Sequence, residues 1–156
     1  AATVRVGQWF GQRNWAEIRQ AAWVSVGMAI AFTAVMTLIL LSRLPQIIGL
    51  YLDIDDPVNA EVVGASMVLM TVAAFGQILD GIQRTANGVL QGLQDTRMPM
   101  LMGAIAYWGI GLAMSYLLGF HTPLQGAGVW IGYYTGTLGA AIAFVWRFQR
   151  LMFKKN

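Results

Sequence analysis

The chain has 156 residues, of which 57% are hydrophobic and only 11% are charged, and its formal net charge is +3. Soluble domains usually contain about 25% charged residues, so this composition excludes an ordinary soluble domain and indicates that lipid surrounds much of the protein. The absence of cysteine excludes disulfides, thiolate metal sites and a cysteine nucleophile. We expect no nucleic-acid partner, because the basic residues lie beside hydrophobic segments, as they do in membrane proteins.

The chain opens with a helical pattern that has no clear start. We predict that residues 1–15 are the end of a preceding helix, which indicates that the sequence is part of a longer protein. A first span is predicted over residues 16–42, because its centre, residues 21–41, carries no charge and a bilayer needs about 20 apolar residues. Residues 43–61 are predicted as an external loop with a short interfacial helix.

Three further spans follow. The predicted order is a span over 62–93, a cytoplasmic turn over 94–97, a span over 98–120, an external turn over 121–126, a span over 127–147 and a cytoplasmic tail over 148–156. Helices are expected throughout, because open strands cannot satisfy their backbone groups in hydrocarbon. The predicted fold is an all-α membrane protein with four transmembrane helices plus the end of a preceding one.

The basic residues predict the orientation. Nine of them fall on one side of the predicted spans: Arg5, Arg13, Arg19, Arg84, Arg97, Arg147, Arg150, Lys154 and Lys155. Only Arg43 falls on the other side, together with the acidic residues Asp53, Asp55, Asp56 and Glu61. Cytoplasmic loops carry the excess of Lys and Arg, so both ends of this chain are predicted to be cytoplasmic.

The predicted cytoplasmic turn is unusually polar for this chain. It lies in the segment GVLQGLQDTRMPM, which runs from Gly88 to Met100. Asp95 and Thr96 are expected to cap the next helix, and Arg97 to face lipid headgroups. Pro99 falls in the first turn of that helix, where its missing N–H costs nothing.

Asp80 is the main candidate for a functional residue. It lies about 20 Å from the predicted end of the second span, so a charge there costs about 2.5–3.5 kcal/mol. One interpretation is a static ion pair with Arg84, one turn later on the same helix face. The other is a titrating or cation-binding carboxylate, because intramembrane carboxylates often mark ion or proton routes.

Other polar and aromatic side chains surround this position along the helices. Gln77, Gln83 and Asn87 form a polar stripe with Asp80, which predicts either interhelical hydrogen bonds or the wall of a polar cavity. In the third span, Tyr107 and Trp108 lie about 13 Å from its start, too deep for an interfacial belt. Core packing and a face for a flat hydrophobic ligand are the two interpretations.

Small residues recur at helix-packing intervals. The spacing Gly-x-x-x-Gly occurs at Gly7 and Gly11, at Gly88 and Gly92, and at Gly132 and Gly136. This spacing allows two helices to approach closely. Enzyme motifs are absent: the sequence has no phosphate-binding glycine loop, no metal-binding His and carboxylate spacing and no nucleophile elbow. We therefore predict that the protein is not an enzyme.

The order of several short motifs resembles a known transporter family. These motifs are VRVGQ from Val4, D-x-x-Q from Asp80, G-x-L-Q-G-L-Q-D-T-R-x-P from Gly88, YW-x-IGL from Tyr107, and GVWIG ending at Gly132. Together they resemble multidrug and toxic compound extrusion (MATE) transporters, with greatest similarity to the NorM-like branch. The resemblance implies twelve spans in two lobes, with this chain as the C-terminal part of the second lobe.

The resemblance also implies a function. It suggests export of cationic or amphipathic drugs by antiport with Na⁺ or H⁺ in the bacterial inner membrane, with no cofactor beyond the coupling ion. Asp80 matches the carboxylate that couples the cation, so it is a possible Na⁺ ligand, and Gln83 matches a glutamine commonly found beside it. With the polar stripe and Tyr107 included, the candidate substrate or cavity residues are Gln77, Gln83, Arg84, Asn87 and Tyr107.

Two positions depart from the pattern of the family. Some members carry a tyrosine where this chain has Gly76, and relatives usually carry an apolar residue where this chain has Arg84. Either difference would alter ion choice or coupling strength. A partner glutamate expected on the seventh span lies outside this chain, in the missing N-terminal portion, which is itself an expected partner together with the bilayer.

Two alternative functions remain open at this point. A lipid-linked saccharide flippase of a related fold should have a more strongly cationic cavity, whereas Arg84 is the one deep cation in this sequence. A non-transporting membrane subunit would use Asp80 and Arg84 only to hold helices together.

Overall fold

A computed structural model describes residues 2–153, and every regular element in that range is helical. In chain order these are α1 (Ala2–Gly11), α2 (Trp15–Ser42), α3 (Leu44–Ile48), α4 (Ala60–Gly92), α5 (Arg97–Ala104), α6 (Leu112–Phe120) and α7 (Gln125–Phe153). A short 3₁₀ turn, Pro57–Asn59, precedes α4. A π-helical segment, Ile105–Gly111, joins α5 to α6.

Four helical stretches are long and apolar enough to cross a membrane, as the sequence predicts. They are Trp15–Ser42, Pro57–Gly92, Arg97–Phe120 and Gln125–Phe153. The last stretch continues through most of the segment predicted as a tail, because no glycine or proline interrupts it after residue 139. The end of the predicted tail, with Lys154 and Lys155, lies outside the described residues.

The third span contains a feature that the sequence does not reveal. Seven residues, IAYWGIG, form a π-helix between two α-helical pieces. A π-helix places the hydrogen-bond acceptor five residues away, is rare and is frequently found at functional sites. The segment presents Tyr107 and Trp108 from a widened helix. Hydrophobic periodicity cannot predict this change, because the apolar pattern is continuous on both sides of it.

Helices α6 and α7 approach one another through glycine. A Cβ atom added at Gly132 would lie 2.2 Å from the backbone nitrogen of Ser115, and one at Gly136 would lie 2.7 Å from the Cα of Gly111. These backbones are in direct contact, so even a methyl group would force the helices apart. The predicted close approach at Gly132 and Gly136 is confirmed, and Gly128, one turn earlier, contributes in the same way.

A second pair of glycines, Gly88 and Gly92 of α4, packs against α1. A Cβ added at Gly92 would lie 2.7 Å from the carbonyl oxygen of Thr3, and one at Gly88 would lie 3.0 Å from the Thr3 hydroxyl oxygen. The spacing at Gly7 and Gly11 behaves differently, since Gly7 makes only an ordinary contact and Gly11 faces open space. The three glycine spacings in the sequence therefore mark two close helix contacts.

The main hydrophobic core lies at the end of the molecule where α1 packs against α4. Its buried members are Val6, Ile18, Ala22, Ala86, Val89, Leu90, Leu93, Ala106, Ala140, Phe144 and Phe148. They come from α1, α2, α4, the turn after α4, the π segment and α7. A smaller cluster at the opposite end joins α3 to the beginning of α4 through Leu44, Ile48 and Val63.

The turn between α4 and α5 is built differently from the prediction. Thr96 precedes α5, but its side chain makes no capping hydrogen bond. The Asp95 carboxylate instead accepts a 2.8 Å hydrogen bond from Nε of Arg147 in α7. The expected capping role of Asp95 and Thr96 is therefore wrong. The Asp95 carboxylate is instead bound by a guanidinium 52 residues later in the sequence.

Candidate functional site

The predicted site residues lie along the middle and later part of α4. Asp80, Gln77 and Asn87 are half-buried, Gln83 is buried, and Arg84 is exposed. The spacing of three, four and seven residues places them around one side of the helix. Exposure here means that no other residue of this chain covers the side chain.

The static ion pair between Asp80 and Arg84 does not form. Within residues 2–153 the single ion pair is the one between Arg147 and Asp95. Asp80 therefore has no salt-bridge partner in the part of the chain that the structure describes. This outcome removes the main support for a purely structural role of Asp80 and Arg84 together.

Gln77 forms the interhelical hydrogen bond that was one of its two interpretations. Its amide nitrogen donates to the Thr37 hydroxyl at 3.2 Å. That hydroxyl in turn donates to the carbonyl oxygen of Ala74 at 2.7 Å. Thr37 is 3% exposed, so this short chain of hydrogen bonds links α2 to α4 just before Asp80.

Tyr107 approaches the same region from the π segment. Its hydroxyl group lies beside the Thr137 side chain and within electrostatic range of Asp80 and Arg84. Its ring stacks on Tyr133 of α7 with centroids 6.0 Å apart. The structure thus brings Tyr107 together with the polar stripe of α4. Its neighbour Trp108 is 78% exposed, so core packing within this chain is wrong for that residue.

Tyr134 is a member of this region that the sequence interpretation missed. Its ring lies directly on Gly76, where an added Cβ would be 1.8 Å from the ring carbon Cζ. The hydroxyl group lies 3.5 Å from the carbonyl oxygen of Ala73 and within electrostatic range of Asp80. No local pattern predicts this contact, because the two residues lie on different helices.

Aromatic rings hold Tyr134 in place. It contacts Trp130 with ring centroids 5.9 Å apart and Tyr133 with centroids 5.2 Å apart. The rings of Tyr107, Trp130, Tyr133 and Tyr134 form what we call the aromatic cluster. Two of its members, Tyr107 and Tyr134, lie within electrostatic range of Asp80. The region thus combines one ionisable carboxylate, several neutral oxygen atoms and a flat apolar surface.

The arrangement limits the chemistry that this chain can perform alone. No group of three or more His, Cys, Asp and Glu side chains that could hold a metal ion occurs among residues 2–153. A single carboxylate with neutral oxygens suits a proton or a weakly held hard monovalent cation better than a tightly bound transition metal. A cavity of about 590 Å³ lies elsewhere, between the beginning of α2 and the end of α7.

Comparisons with known proteins agree with the helical architecture. The family model described as MatE matches residues 1–117. The chain is 63% identical to the probable multidrug resistance protein NorM of Synechocystis sp., over the whole chain and 34% of that relative. It is 43% identical to the multidrug resistance protein NorM of Burkholderia vietnamiensis, over 96% of the chain and 32% of that relative.

A solved structure has the same fold. It is described as the inward-facing conformation of a multidrug resistance MATE family transporter of the MOP superfamily. The TM-score is 0.76 at 20% sequence identity, and the match covers 96% of this chain and 34% of that chain. The chain thus spans about a third of the length of the curated relatives that it matches.

Proposed function

The chain belongs to the MatE family, and from this premise we propose that it is part of a multidrug exporter in which Asp80 couples cation entry to drug exit. The proposed coupling ion is Na⁺ or H⁺, and the proposed substrates are cationic or amphipathic drugs. The proposed location is the bacterial inner membrane, with both ends of the chain on the cytoplasmic side. Both relatives are named as multidrug resistance proteins, which supports multidrug transport.

The isolation of Asp80 is the observation that carries the proposal. Asp80 lies twelve residues before the end of α4 at Gly92, which corresponds to about 18 Å along the helix. A charged carboxylate at such a depth costs about 2.5–3.5 kcal/mol, and no salt bridge offsets that cost within residues 2–153. Binding of a proton or a cation neutralises the carboxylate and removes the cost.

This difference in free energy can drive a conformational change. A cation that binds Asp80 more tightly in one state of the transporter shifts the population towards that state. A drug cation that competes for the same negative charge is then coupled to the ion by linkage between the two sites. Gln83, Asn87 and Tyr107 would supply polar and aromatic walls for this cavity, and the exposed Arg84 would adjust its potential.

The direct test is the substitution Asp80→Asn in the full-length protein reconstituted in proteoliposomes. It removes the charge and keeps the shape. We expect loss of drug transport driven by a Na⁺ or proton gradient, with unchanged protein folding by thermal unfolding in detergent. Asp55→Asn is the matched control, because it removes the same charge from an exposed loop.

Three outcomes separate the candidate functions. Loss of gradient-driven drug transport in Asp80→Asn, with normal transport in Asp55→Asn, supports the proposal. Retained ion-dependent transport in Asp80→Asn eliminates the coupling role. Lost transport together with a large drop in unfolding temperature would instead indicate that Asp80 holds helices together.

A further inference from the structure

We propose that Tyr134 completes the Asp80 site, and that its hydroxyl group supplies a second oxygen atom to the cation that neutralises this carboxylate. The inference rests on the proposed coupling role of Asp80 and assigns a further site residue, from α7, to the same reaction. It makes Gly76 part of the site as well, because the missing side chain at that position creates the space that Tyr134 occupies.

The contact between Gly76 and Tyr134 leaves no room for a side chain at position 76. Gly76 is buried, and a Cβ there would lie 1.8 Å from Cζ, 2.1 Å from Cε2 and 2.2 Å from Cε1 of the tyrosine ring. Real atoms are never this close, so the ring fills the volume of a side chain at position 76. The nearest ring atom is Cζ, which bears the hydroxyl group. The polar end of Tyr134 is therefore the end that reaches α4.

Helix geometry directs the Asp80 carboxylate towards that polar end. Ala73, Gly76 and Asp80 are related by intervals of three and four residues, so they lie on one stripe of α4. The rise from Gly76 to Asp80 is about 6 Å, and side chains in a helix lean towards its N-terminus. The carboxylate thus leans from position 80 towards the place where the Tyr134 hydroxyl lies.

The ring is held firmly, whereas the hydroxyl group keeps its binding capacity. Contacts with Trp130 and Tyr133 orient the ring. Among residues 2–153 the hydroxyl makes one long contact, 3.5 Å from the Ala73 carbonyl oxygen, which is beyond the usual range for such hydrogen bonds. A rigid ring with an oxygen atom still able to bind is suited to a cation shared with the neighbouring carboxylate.

The test is the substitution Tyr134→Phe, which removes the oxygen atom and keeps the ring on Gly76. In proteoliposomes containing the full-length protein, gradient-driven drug transport is measured against Na⁺ concentration at constant pH, and against pH without Na⁺. Loss of one hydrogen-bonding group corresponds to about a 2–10-fold change in affinity. We expect the half-maximal cation concentration to rise about 2–10-fold, with nearly unchanged maximal transport and unfolding temperature.

Two further variants make the result specific. Tyr116→Phe is the matched control, because Tyr116 lies in α6 and is 57% exposed, and this variant should behave as the unmodified protein. Gly76→Ala should displace the whole ring and raise the half-maximal concentration at least as much as Tyr134→Phe. A merely structural role of Tyr134 would lower the unfolding temperature or the maximal rate without moving the half-maximal concentration, and that result overturns the inference.

The failures of the two proposals can be told apart. If Asp80→Asn abolishes cation dependence and Tyr134→Phe leaves the half-maximal concentration unchanged, the coupling role stands and the role of Tyr134 is wrong. If Asp80→Asn retains normal cation dependence, the coupling role is wrong, and the assignment of Tyr134 fails with it.

Discussion

Two parts of α4 show opposite kinds of construction. The packed end, which we define as residues 86–93 with the helices around them, is lined by small and apolar side chains, and Val89 and Leu90 are 2% and 0% exposed. The polar middle, residues 76–83 with Tyr107 and Tyr134 opposite, contains a carboxylate without a salt-bridge partner among residues 2–153. One helix thus contributes both to the packed core and to the candidate site.

The two parts of α4 also differ in whether the carboxylate near them is paired. At the packed end, α1 lies against glycine, and the Asp95 carboxylate is paired with Arg147. Both features hold the helices in one arrangement. In the polar middle, Asp80 has no such pair among residues 2–153, which supports the proposed cation-coupling role.

The substitution with the largest predicted effect disrupts the packed end. In Gly92→Ala, the new Cβ would lie 2.7 Å from the Thr3 carbonyl oxygen and 2.9 Å from the Val6 Cβ. Because one of these atoms belongs to the backbone, α1 must move, and overpacking of this kind costs about 1–3 kcal/mol. Thermal unfolding of the purified full-length protein in detergent measures the loss.

The matched control lies on the same helix. A Cβ added at Gly64 meets nothing within 4 Å, so Gly64→Ala should be neutral or stabilising by up to about 1 kcal/mol through helix propensity. Equal destabilisation by the two substitutions would contradict the distinction between packed and open parts of α4.

The next effect concerns the ion pair at the packed end. Asp95 and Arg147 are partly buried, with side-chain exposures of 16% and 21%. We expect Asp95→Ala and Arg147→Ala to destabilise the protein and to be coupled by about 1–2 kcal/mol in a double-mutant cycle. Arg97→Ala, which removes an exposed arginine at the first residue of α5, is the control. Strictly additive effects of the first two changes would show that the pair contributes no net stability.

This ion pair illustrates what the sequence could and could not predict. The four spans and the all-helical fold follow from hydrophobic stretches and from the need to satisfy backbone groups in lipid, and these predictions are confirmed. Two glycine contacts also follow from local spacing. The partner of Asp95 does not, because it lies 52 residues later and nothing near Arg147 in the sequence indicates the contact.

The candidate site shows the same limit. Asp80 and the polar stripe are recognisable because a carboxylate inside an apolar helix is costly. The proximity of Tyr134 to Gly76 depends on how α7 is rotated against α4, and an amphipathic pattern does not specify that rotation to the precision of one residue. The absence of an Asp80–Arg84 pair is likewise a matter of side-chain direction, which a spacing of four residues permits but does not decide.

A smaller effect concerns the start of the polar middle, where α2 is hydrogen-bonded to α4. Thr37→Val replaces the hydroxyl that donates to the Ala74 carbonyl and accepts from Gln77. Hydrogen bonds between membrane helices average about 0.6 kcal/mol and reach about 1.7 kcal/mol, so we expect a loss of that order in unfolding free energy. Thr33→Val is the control, because the Thr33 hydroxyl bonds to carbonyl groups of its own helix. A loss in Thr33→Val as large as that in Thr37→Val would show that no specific link joins α2 to α4 here.

The smallest effect has the opposite sign and concerns the end of the packed region. Gln94 has a φ of 61°, in the left-handed region where a side chain costs about 1–2 kcal/mol. The N–H of Asp95 bonds to Leu90 O at 3.0 Å and that of Gln94 to Gln91 O at 2.9 Å, a helix ending that usually places glycine at this position. We expect Gln94→Gly to stabilise the protein by about 0.5 kcal/mol after the entropic cost of glycine.

Gln91→Gly, three residues earlier within α4, should instead destabilise by about 1 kcal/mol. If both substitutions lowered the unfolding temperature, the left-handed ending of α4 would not be the arrangement that the protein adopts.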